Sequence, residues 1–321
     1  MTQPDPGAFY SSGDTQDIRL GDLVKKDISW EEDFPTNTIA LIGFPLDEGI
    51  ERIGGRIGAA RGPTEIRTAL YRLTSGCRHP LNKVTLLDLG DLIPQNDLET
   101  SHERLADIVA IWIKKGALPI VLGGSHDLSF GSVSGLIQTI PALEHIGLIN
   151  IDSHLDLRSS DKGINSGTAF YRLLERWPEQ LSGTGIIEYA AHEQCNSSFH
   201  YQYALEKRVK VYFLDELRTN LDGPVGFFPQ VLRLAGMDVA AVALSIDIDV
   251  CQRAYAPGAS APQTDGLTGS EILQISFLAG KERKVKLLDL CEVSPPLDIA
   301  GKTIALAAQI IFWFLQGLTL R

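Results

Sequence analysis

Carboxylate and imidazole side chains alternate in two short runs of this chain. One run is Asp152-Ser-His-Leu-Asp156, with His154 between two aspartates, and the other is Ser245-Ile-Asp-Ile-Asp249. Residues two apart in an extended chain point to the same face. Each run therefore directs its metal-ligand side chains at one spot.

A second imidazole, His126 in Gly123-Gly-Ser-His126, completes the set. A lone Asp at a strand end is usually a helix cap or a turn residue, but five ligand-type residues at period two on two strand ends favour a shared function. Four carboxylates without counter-charge would repel one another, and no cluster of Lys or Arg adjoins them. The pattern predicts a centre for two divalent ions with the ligand set His126, Asp152, His154, Asp156, Asp247 and Asp249.

The ligand types indicate which metals such a centre would hold. The set contains no cysteine, which disfavours thiolate zinc and iron–sulfur sites. Carboxylates mixed with imidazoles favour manganese over zinc, iron or cobalt. A paired site lowers the pKa of a bridging water and presents hydroxide as a nucleophile, so the expected chemistry is hydrolysis at a polarised carbon.

The composition bears on partners and location. A formal net charge of −11 argues against nucleic acid as a partner. No stretch approaches the ~20 apolar residues of a membrane span, and the N-terminus lacks the features of a signal peptide. The four cysteines lie far apart without a CxxC spacing, which predicts reduced thiols and a cytoplasmic protein.

Apolar strand-like runs alternate with amphipathic segments after a polar start. Residues 1–36 are predicted to form an irregular N-terminal arm, and residues 37–321, without linker or repeat, a single catalytic domain. Continuous apolar strands between helices predict an α/β fold whose parallel sheet is covered on both faces. Ligands bind beyond the carboxyl ends of such strands, where the three ligand runs lie. Strands are predicted at 38–43, 84–88, 118–122, 146–149, 183–187, 209–213, 239–244 and 285–290, and helices at 64–73, 98–114 and 302–318.

The three ligand runs together resemble the ureohydrolase superfamily of arginases, agmatinases and formimidoylglutamases, over nearly the whole chain after residue 36. The resemblance implies the three-layer α/β/α arginase fold with a mostly parallel eight-stranded sheet, two Mn²⁺ ions per subunit held by the six ligands, and a homo-oligomer. Glu292, in Leu290-Cys-Glu-Val-Ser-Pro295, matches the family's active-site glutamate, which would bind the amidine or guanidine group. The family mechanism implies that Asp156 passes a proton to the leaving amine.

Several stretches are most similar to the formimidoylglutamase branch. These are the Gly- and Arg-rich segment 47–63, the segment Ala256-Pro-Gly-Ala-Ser-Ala-Pro262, and Asn165-Ser-Gly-Thr-Ala-Phe170. The last puts Phe170 where arginases have a proton-shuttling histidine, and since a phenylalanine cannot carry protons, arginase activity is disfavoured. The chain has Ser before His126 and Asp after it, which is close to the Gly-His-Glu form of this branch but not identical.

The predicted reaction is hydrolysis of N-formimidoyl-L-glutamate to L-glutamate and formamide. Arg158, two residues beyond Asp156, is suited to bind a substrate carboxylate bidentately, although a surface or interface ion pair is an equally ordinary role. Ser166 and Thr168 could donate hydroxyl hydrogen bonds to the α-carboxylate. Two further arginines, Arg52 and Arg56, serve either the substrate or the glycine-rich loop.

Two other functions stay open at this point. One is hydrolysis of a guanidino compound, such as agmatine, a guanidino acid or guanidine, with release of urea. The other is a non-catalytic subunit in which metals only stabilise the fold. The presence of all six ligands together with Glu292 argues against the second.

Overall fold

Eight strands form one parallel sheet in the computed structural model, which describes residues 1–26, 28, 34–35 and 37–321. The order across the sheet is β2-β1-β3-β8-β7-β4-β5-β6, and every neighbouring pair is parallel. The other predicted strands are confirmed, but of the run predicted at 183–187 only the last two residues lie in β5, because Gly183–Gly185 form a 3₁₀ turn. In chain order the strands are β1 (Thr38–Phe44), β2 (Thr85–Asp91), β3 (Leu118–Gly123), β4 (Ile146–Ile151), β5 (Ile186–Ala191), β6 (Lys210–Phe213), β7 (Ala241–Asp247) and β8 (Val285–Cys291).

Helices connect these strands and cover the sheet. The helices predicted at 98–114 and 302–318 are confirmed. The one predicted at 64–73 begins two residues earlier and ends three residues earlier, at Leu70, with Pro63 in its first turn. No helix within the described residues is long and apolar enough to span a bilayer. The described α-helices are α1 (Leu20–Leu23), α2 (Glu48–Arg52), α3 (Gly62–Leu70), α4 (Leu98–Lys114), α5 (Leu128–Ile137), α6 (Ala169–Arg176), α7 (Ser198–Lys207), α8 (Leu214–Thr219), α9 (Gly223–Ala235), α10 (Gly269–Lys281) and α11 (Lys302–Leu318).

The strands are apolar on both faces because each face has its own core. On one face Ile149 and Leu244 pack with α3, α9, α10 and α11, and on the other Leu148 and Ala243 pack with α4, α5 and α6. Successive strand residues alternate between the two cores, as the period of an extended chain requires. The predicted three-layer α/β/α fold is confirmed.

The described part of the predicted arm packs against the domain. Ala8, Leu20 and Val24 are buried in the core that contains α3, and Lys25 forms an isolated parallel bridge with Leu87. Residues 27, 29–33 and 36 of the arm lie outside the described residues. The boundary between arm and domain stays a prediction.

Candidate metal centre

The carboxyl ends of four adjacent strands meet in the middle of the sheet. Strands β3, β8, β7 and β4 are consecutive neighbours. His126 follows β3, Glu292 follows β8, Asp247 ends β7 and Asp152 follows β4. Since parallel strands end at one edge of a sheet, residues distant in sequence become neighbours there.

The first group of metal-ligand side chains surrounds His126. Its Nδ1 lies 3.1 Å from Asp152 Oδ2, 3.0 Å from Asp156 Oδ2 and 3.4 Å from Asp247 Oδ2. Ligand atoms of His126, Asp152 and Asp247 all lie within 4.8 Å of one another, and the three residues are buried. One ion would fit between them.

The second group surrounds His154, whose side chain is 23% exposed. Its Nδ1 lies 3.3 Å from Asp152 Oδ1 and 3.2 Å from Asp249 Oδ2, and the ligand atoms of the three residues lie within 4.8 Å of one another. Asp152 thus belongs to both groups, with one carboxylate oxygen toward each histidine. This is the arrangement of a ligand that bridges two ions.

The donor atoms fit a pair of divalent ions. His126 Nδ1 is buried near three carboxylate oxygens, but none of these contacts between described residues has hydrogen-bond geometry. Asp249 Oδ1 is also buried, and it has no hydrogen-bond partner among them. Because buried polar atoms are normally satisfied, these unpartnered atoms would suit a bound cation, and mixed imidazole and carboxylate donors suit Mn²⁺.

The charges of the cluster reinforce that conclusion. Burial, together with Asp249 and Asp152, raises the pKa of Asp247 well above its ordinary value, and burial also raises the pKa of Asp249 to about 6. Burial by itself would lower the pKa of His126, but Cys291 and then the carboxylates of Asp152, Asp156 and Asp247 raise it well above its ordinary value. Without metal, the site therefore holds protons where divalent ions would supply the positive charge.

Glu292 lies beside the first group. Its Oε1 accepts a hydrogen bond of 3.0 Å from the backbone N–H of His126. Burial and then the charges of Asp247 and Asp249 raise the pKa of Glu292. A cation bound next to it would reverse that shift, so this carboxylate is suited to a cationic ligand.

Asp156 and Glu292 both have a left-handed backbone, with φ of 47° and 64°. For a residue with a Cβ atom, that conformation costs about 1–3 kcal/mol and persists only where the surrounding structure enforces it. The fold therefore holds in place the two carboxylates that the sequence predicts to act in catalysis.

Phe170 lies underneath the first group and is fully buried. Its ring meets that of His126 edge to face, with centroids 5.4 Å apart and an interplanar angle of 84°. Its N–H donates to the carbonyl of Asp156 at 3.3 Å. Phe170 thus packs against two predicted ligands, and has no group that could transfer a proton.

Arg158 is exposed, and no ion pair within the described residues includes its guanidinium. Its backbone N–H donates to Gly167 at 2.9 Å. Its side chain lies over this glycine, where an added Cβ would be 2.8 Å from Arg158 Cδ. The guanidinium is therefore available to an anion.

The other polar residues considered for the substrate differ in their contacts. Ser166 is buried, and Thr168 Oγ1 donates to the carbonyl of Asn165 at 2.7 Å, so a substrate contact from Thr168 would require that bond to be exchanged. Arg52 pairs with Glu48 and donates to the carbonyl of Ile164, and Arg56 donates to the carbonyls of Ala259 and Ser260. Both arginines thus hold loops, which is the alternative to the substrate-binding role considered for them.

A row of buried polar residues that the ligand motifs do not predict lies beneath the ligands. Asn150 pairs in register with Glu188 on one side and Ser245 on the other, and Ser245 pairs with Asp289. We call Glu188, Asn150, Ser245 and Asp289 the polar row. A usable signal was present, because each is a polar residue at an internal position of a mostly apolar strand.

Comparisons with known proteins agree with this geometry. The model of the arginase family matches residues 37–316. The formimidoylglutamase of Ralstonia nicotianae is 31% identical over 331 residues, covering 98% of this chain and 97% of the relative. The crystal structure of Trypanosoma cruzi formiminoglutamase with Mn²⁺₂ has a TM-score of 0.86 at 32% identity, covering 95% of this chain and 99% of that one. The formimidoylglutamase structure from Bacillus subtilis has a TM-score of 0.87 at 26% identity, covering 97% and 95%.

Proposed function

The chain belongs to the arginase family, and we propose that it is a manganese hydrolase that converts N-formimidoyl-L-glutamate and water to L-glutamate and formamide. The observation that carries this proposal is the sharing of Asp152 between two groups of ligand atoms. The similarity to formimidoylglutamases over almost the full chain supports the choice of substrate. The ions are two Mn²⁺ per subunit, held by His126, Asp152, His154, Asp156, Asp247 and Asp249.

The protein residues have separate roles in the reaction. When bound, such a pair of ions lowers the pKa of water and supplies a nucleophile near neutral pH. Glu292 binds the amidinium of the substrate by charge-assisted hydrogen bonds and holds its carbon in the direction of attack. Asp156 accepts a proton from the attacking water and delivers it to the nitrogen that leaves as the amine of glutamate.

The substrate carboxylates are bound on the exposed side of the centre. Arg158 binds one of them, which agrees with its unpaired guanidinium within the described structure. Ser166 and Thr168 donate hydrogen bonds to the α-carboxylate, Thr168 after releasing the carbonyl of Asn165. The buried position of Phe170 against His126 supports an amidine over arginine as substrate, because no histidine is present there for proton transfer.

Product analysis tests this function directly. The Mn²⁺-loaded protein is incubated separately with N-formimidoyl-L-glutamate, agmatine, arginine and guanidino acids, and glutamate, formamide and urea are quantified. We expect equal amounts of glutamate and formamide from the first compound and no urea from the others. Urea from a guanidino compound would instead establish the alternative reaction at the same centre. A protein with both ions bound and no product from any compound would contradict the proposal.

We further propose that the enzyme is cytoplasmic and a homo-oligomer. The cysteines, which are free in the structure, support a reducing compartment. A groove between α10 and α11, lined by Phe277, Leu306 and Trp313, supports contact with a second copy. Cell fractionation and light scattering of the purified protein test the two statements, and a monomer at micromolar concentration would contradict the second.

A further inference from the structure

Two members of the polar row lie two residues before predicted ligands. Asn150 precedes Asp152 and Ser245 precedes Asp247, and each pair shares a face of the sheet because side chains alternate. All members of the row are fully buried. Burying a polar group is costly unless it is hydrogen-bonded, so the hydrogen bonds of Ser245 and Asp289 show what these two residues support.

Ser245 contacts the ring of His126 on the side away from the other ligands. His126 Nε2 lies 2.9 Å from Ser245 Oγ, and Ser245 Oγ donates to Asp289 Oδ1 at 2.5 Å. Since the proton of Ser245 is directed to Asp289, its oxygen is left to accept the N–H at His126 Nε2. In the neutral imidazole, that assignment would leave the lone pair of His126 Nδ1 available to an ion bound between it and the carboxylates of the first group.

Helix α5 fixes Asp289 in its role as acceptor. Ser132 donates to its Oδ2 at 2.5 Å and Ser129 to its Oδ1 at 3.1 Å. His126, Asp289 and Cys291 also bring ligand-type atoms within 4.8 Å of one another. Both oxygens of Asp289 already accept hydroxyl hydrogen bonds, however. This group therefore supports His126 on the side opposite the first ion and is not a further metal site.

We propose that Ser245 and Asp289 are positioning residues for the metal centre, which set the tautomer and orientation of His126 and thereby the affinity for the ion next to it. The inference rests on the proposed function in requiring a bound metal. Hydrogen-bonded partners behind a metal-binding histidine fix its tautomer and raise its basicity, and their loss typically costs about 10–100-fold in metal affinity. The His154 group has no share in this chain of contacts within the described residues.

The test is the Mn²⁺ binding isotherm of purified, metal-free protein, with dissociation constants measured for both ions. Ser245→Ala should weaken the binding of one ion about 10–100-fold and leave the other unchanged. Asp289→Asn should have a smaller effect in the same direction, because an amide oxygen still accepts from Ser245. The matched control is Ser276→Ala, since Ser276 is another fully buried serine, which donates to the carbonyl of Ile310 far from the centre. It should bind both ions as the wild type does.

A double-mutant cycle separates positioning from general destabilisation. In a His126→Ala background, Ser245→Ala should have no further effect on metal affinity, because the residue through which it acts is absent. Wild-type affinity for both ions in Ser245→Ala and Asp289→Asn, or an equal loss with and without His126, would overturn the inference. A wild-type protein that binds no Mn²⁺ would instead overturn the proposed function, so the two failures are distinguishable.

Discussion

The two halves of the metal centre differ in how they are built. The side chain of His126 is 1% exposed, lies against Phe170 and is backed by Ser245, whereas that of His154 is 23% exposed. Each half combines one histidine with aspartates, and the two halves share Asp152, so their ligand types are nearly the same. The difference shows that packing encloses the histidine of one half completely, while the histidine of the other half stays partly open to solvent.

Replacing the two histidines in turn should have the largest effect and tests this difference between the halves directly. His126→Ala should abolish turnover, a loss of at least about a thousandfold in kcat/KM, and should lower the metal content, because buried carboxylates are left uncompensated. His154→Ala should retain one ion more readily, since the buried half is intact. Metal analysis and kinetics on the same preparations check this, and full metal and activity in His126→Ala would refute the ligand assignment.

Replacing Glu292, the carboxylate beside the buried half, should lower the rate of the reaction without affecting metal binding. Glu292→Gln should keep both ions but lower kcat about 10²–10³-fold, because the amide cannot form the same charge-assisted hydrogen bonds with an amidinium. Glu193→Gln, which alters an exposed glutamate, is the control and should leave kcat unchanged. A normal kcat in Glu292→Gln would remove Glu292 from the mechanism.

A change on the exposed side should affect binding alone. Arg158→Ala should raise KM for N-formimidoyl-L-glutamate about tenfold or more, the effect of one lost hydrogen-bonded charge, with the metal content unchanged. Arg61→Ala is the control, since that arginine is exposed and pairs weakly with Glu65. If KM for Arg158→Ala equals that of the wild type, Arg158 has a structural or interface role.

Stability against pH should show the smallest effect. Between pH 3.8, the ordinary pKa of Asp249, and its pKa of about 6 in the fold, the folded state holds a proton that the unfolded state has lost. The metal-free protein should therefore lose stability as pH rises through this window, and the raised pKa values of His126 and His154 should extend the loss above pH 6.5.

Manganese should reverse that trend. The ions replace the bound protons, so the Tm difference between Mn²⁺-loaded and metal-free protein should grow by several degrees, on the order of 5 °C, from pH 5 to 8. Calorimetry with Mn²⁺ and with EDTA measures it. A difference that is constant across this range would show that protons and metals do not compete at the centre.

Much of the fold could be predicted from the sequence because its signals are local. The eight apolar runs became strands, and α4 and α11 agree with their predicted bounds. Helix α3 was predicted less well, since it spans Gly62–Leu70 and the predicted range was 64–73. The run at 183–187 was a weak signal because only its last two residues lie in β5.

The site was predictable in part for the same reason. Asp152 and His154 can be recognised from their alternate spacing at the carboxyl end of one strand, and so can Asp247 and Asp249. The polar row has no such spacing in the sequence, because each of its members lies in a different strand. The members become neighbours only through the order of the strands in the sheet. Polar residues at internal positions of mostly apolar strands are a signal for such rows, but they do not identify their partners.

The sequence by itself determined the types of ligand, their spacing and the alternation of strand and helix, since these depend on the period of the local chain. Only the tertiary structure decided that β3, β8, β7 and β4 lie side by side, that Asp152 serves both groups, and that Ser245 and Asp289 stand behind His126. His126 and Ser245 are 119 positions apart in the chain, and Ser245 and Asp289 are 44 apart. These contacts form because burying two apolar cores fixes the order of the strands, and the strand order in turn fixes the site.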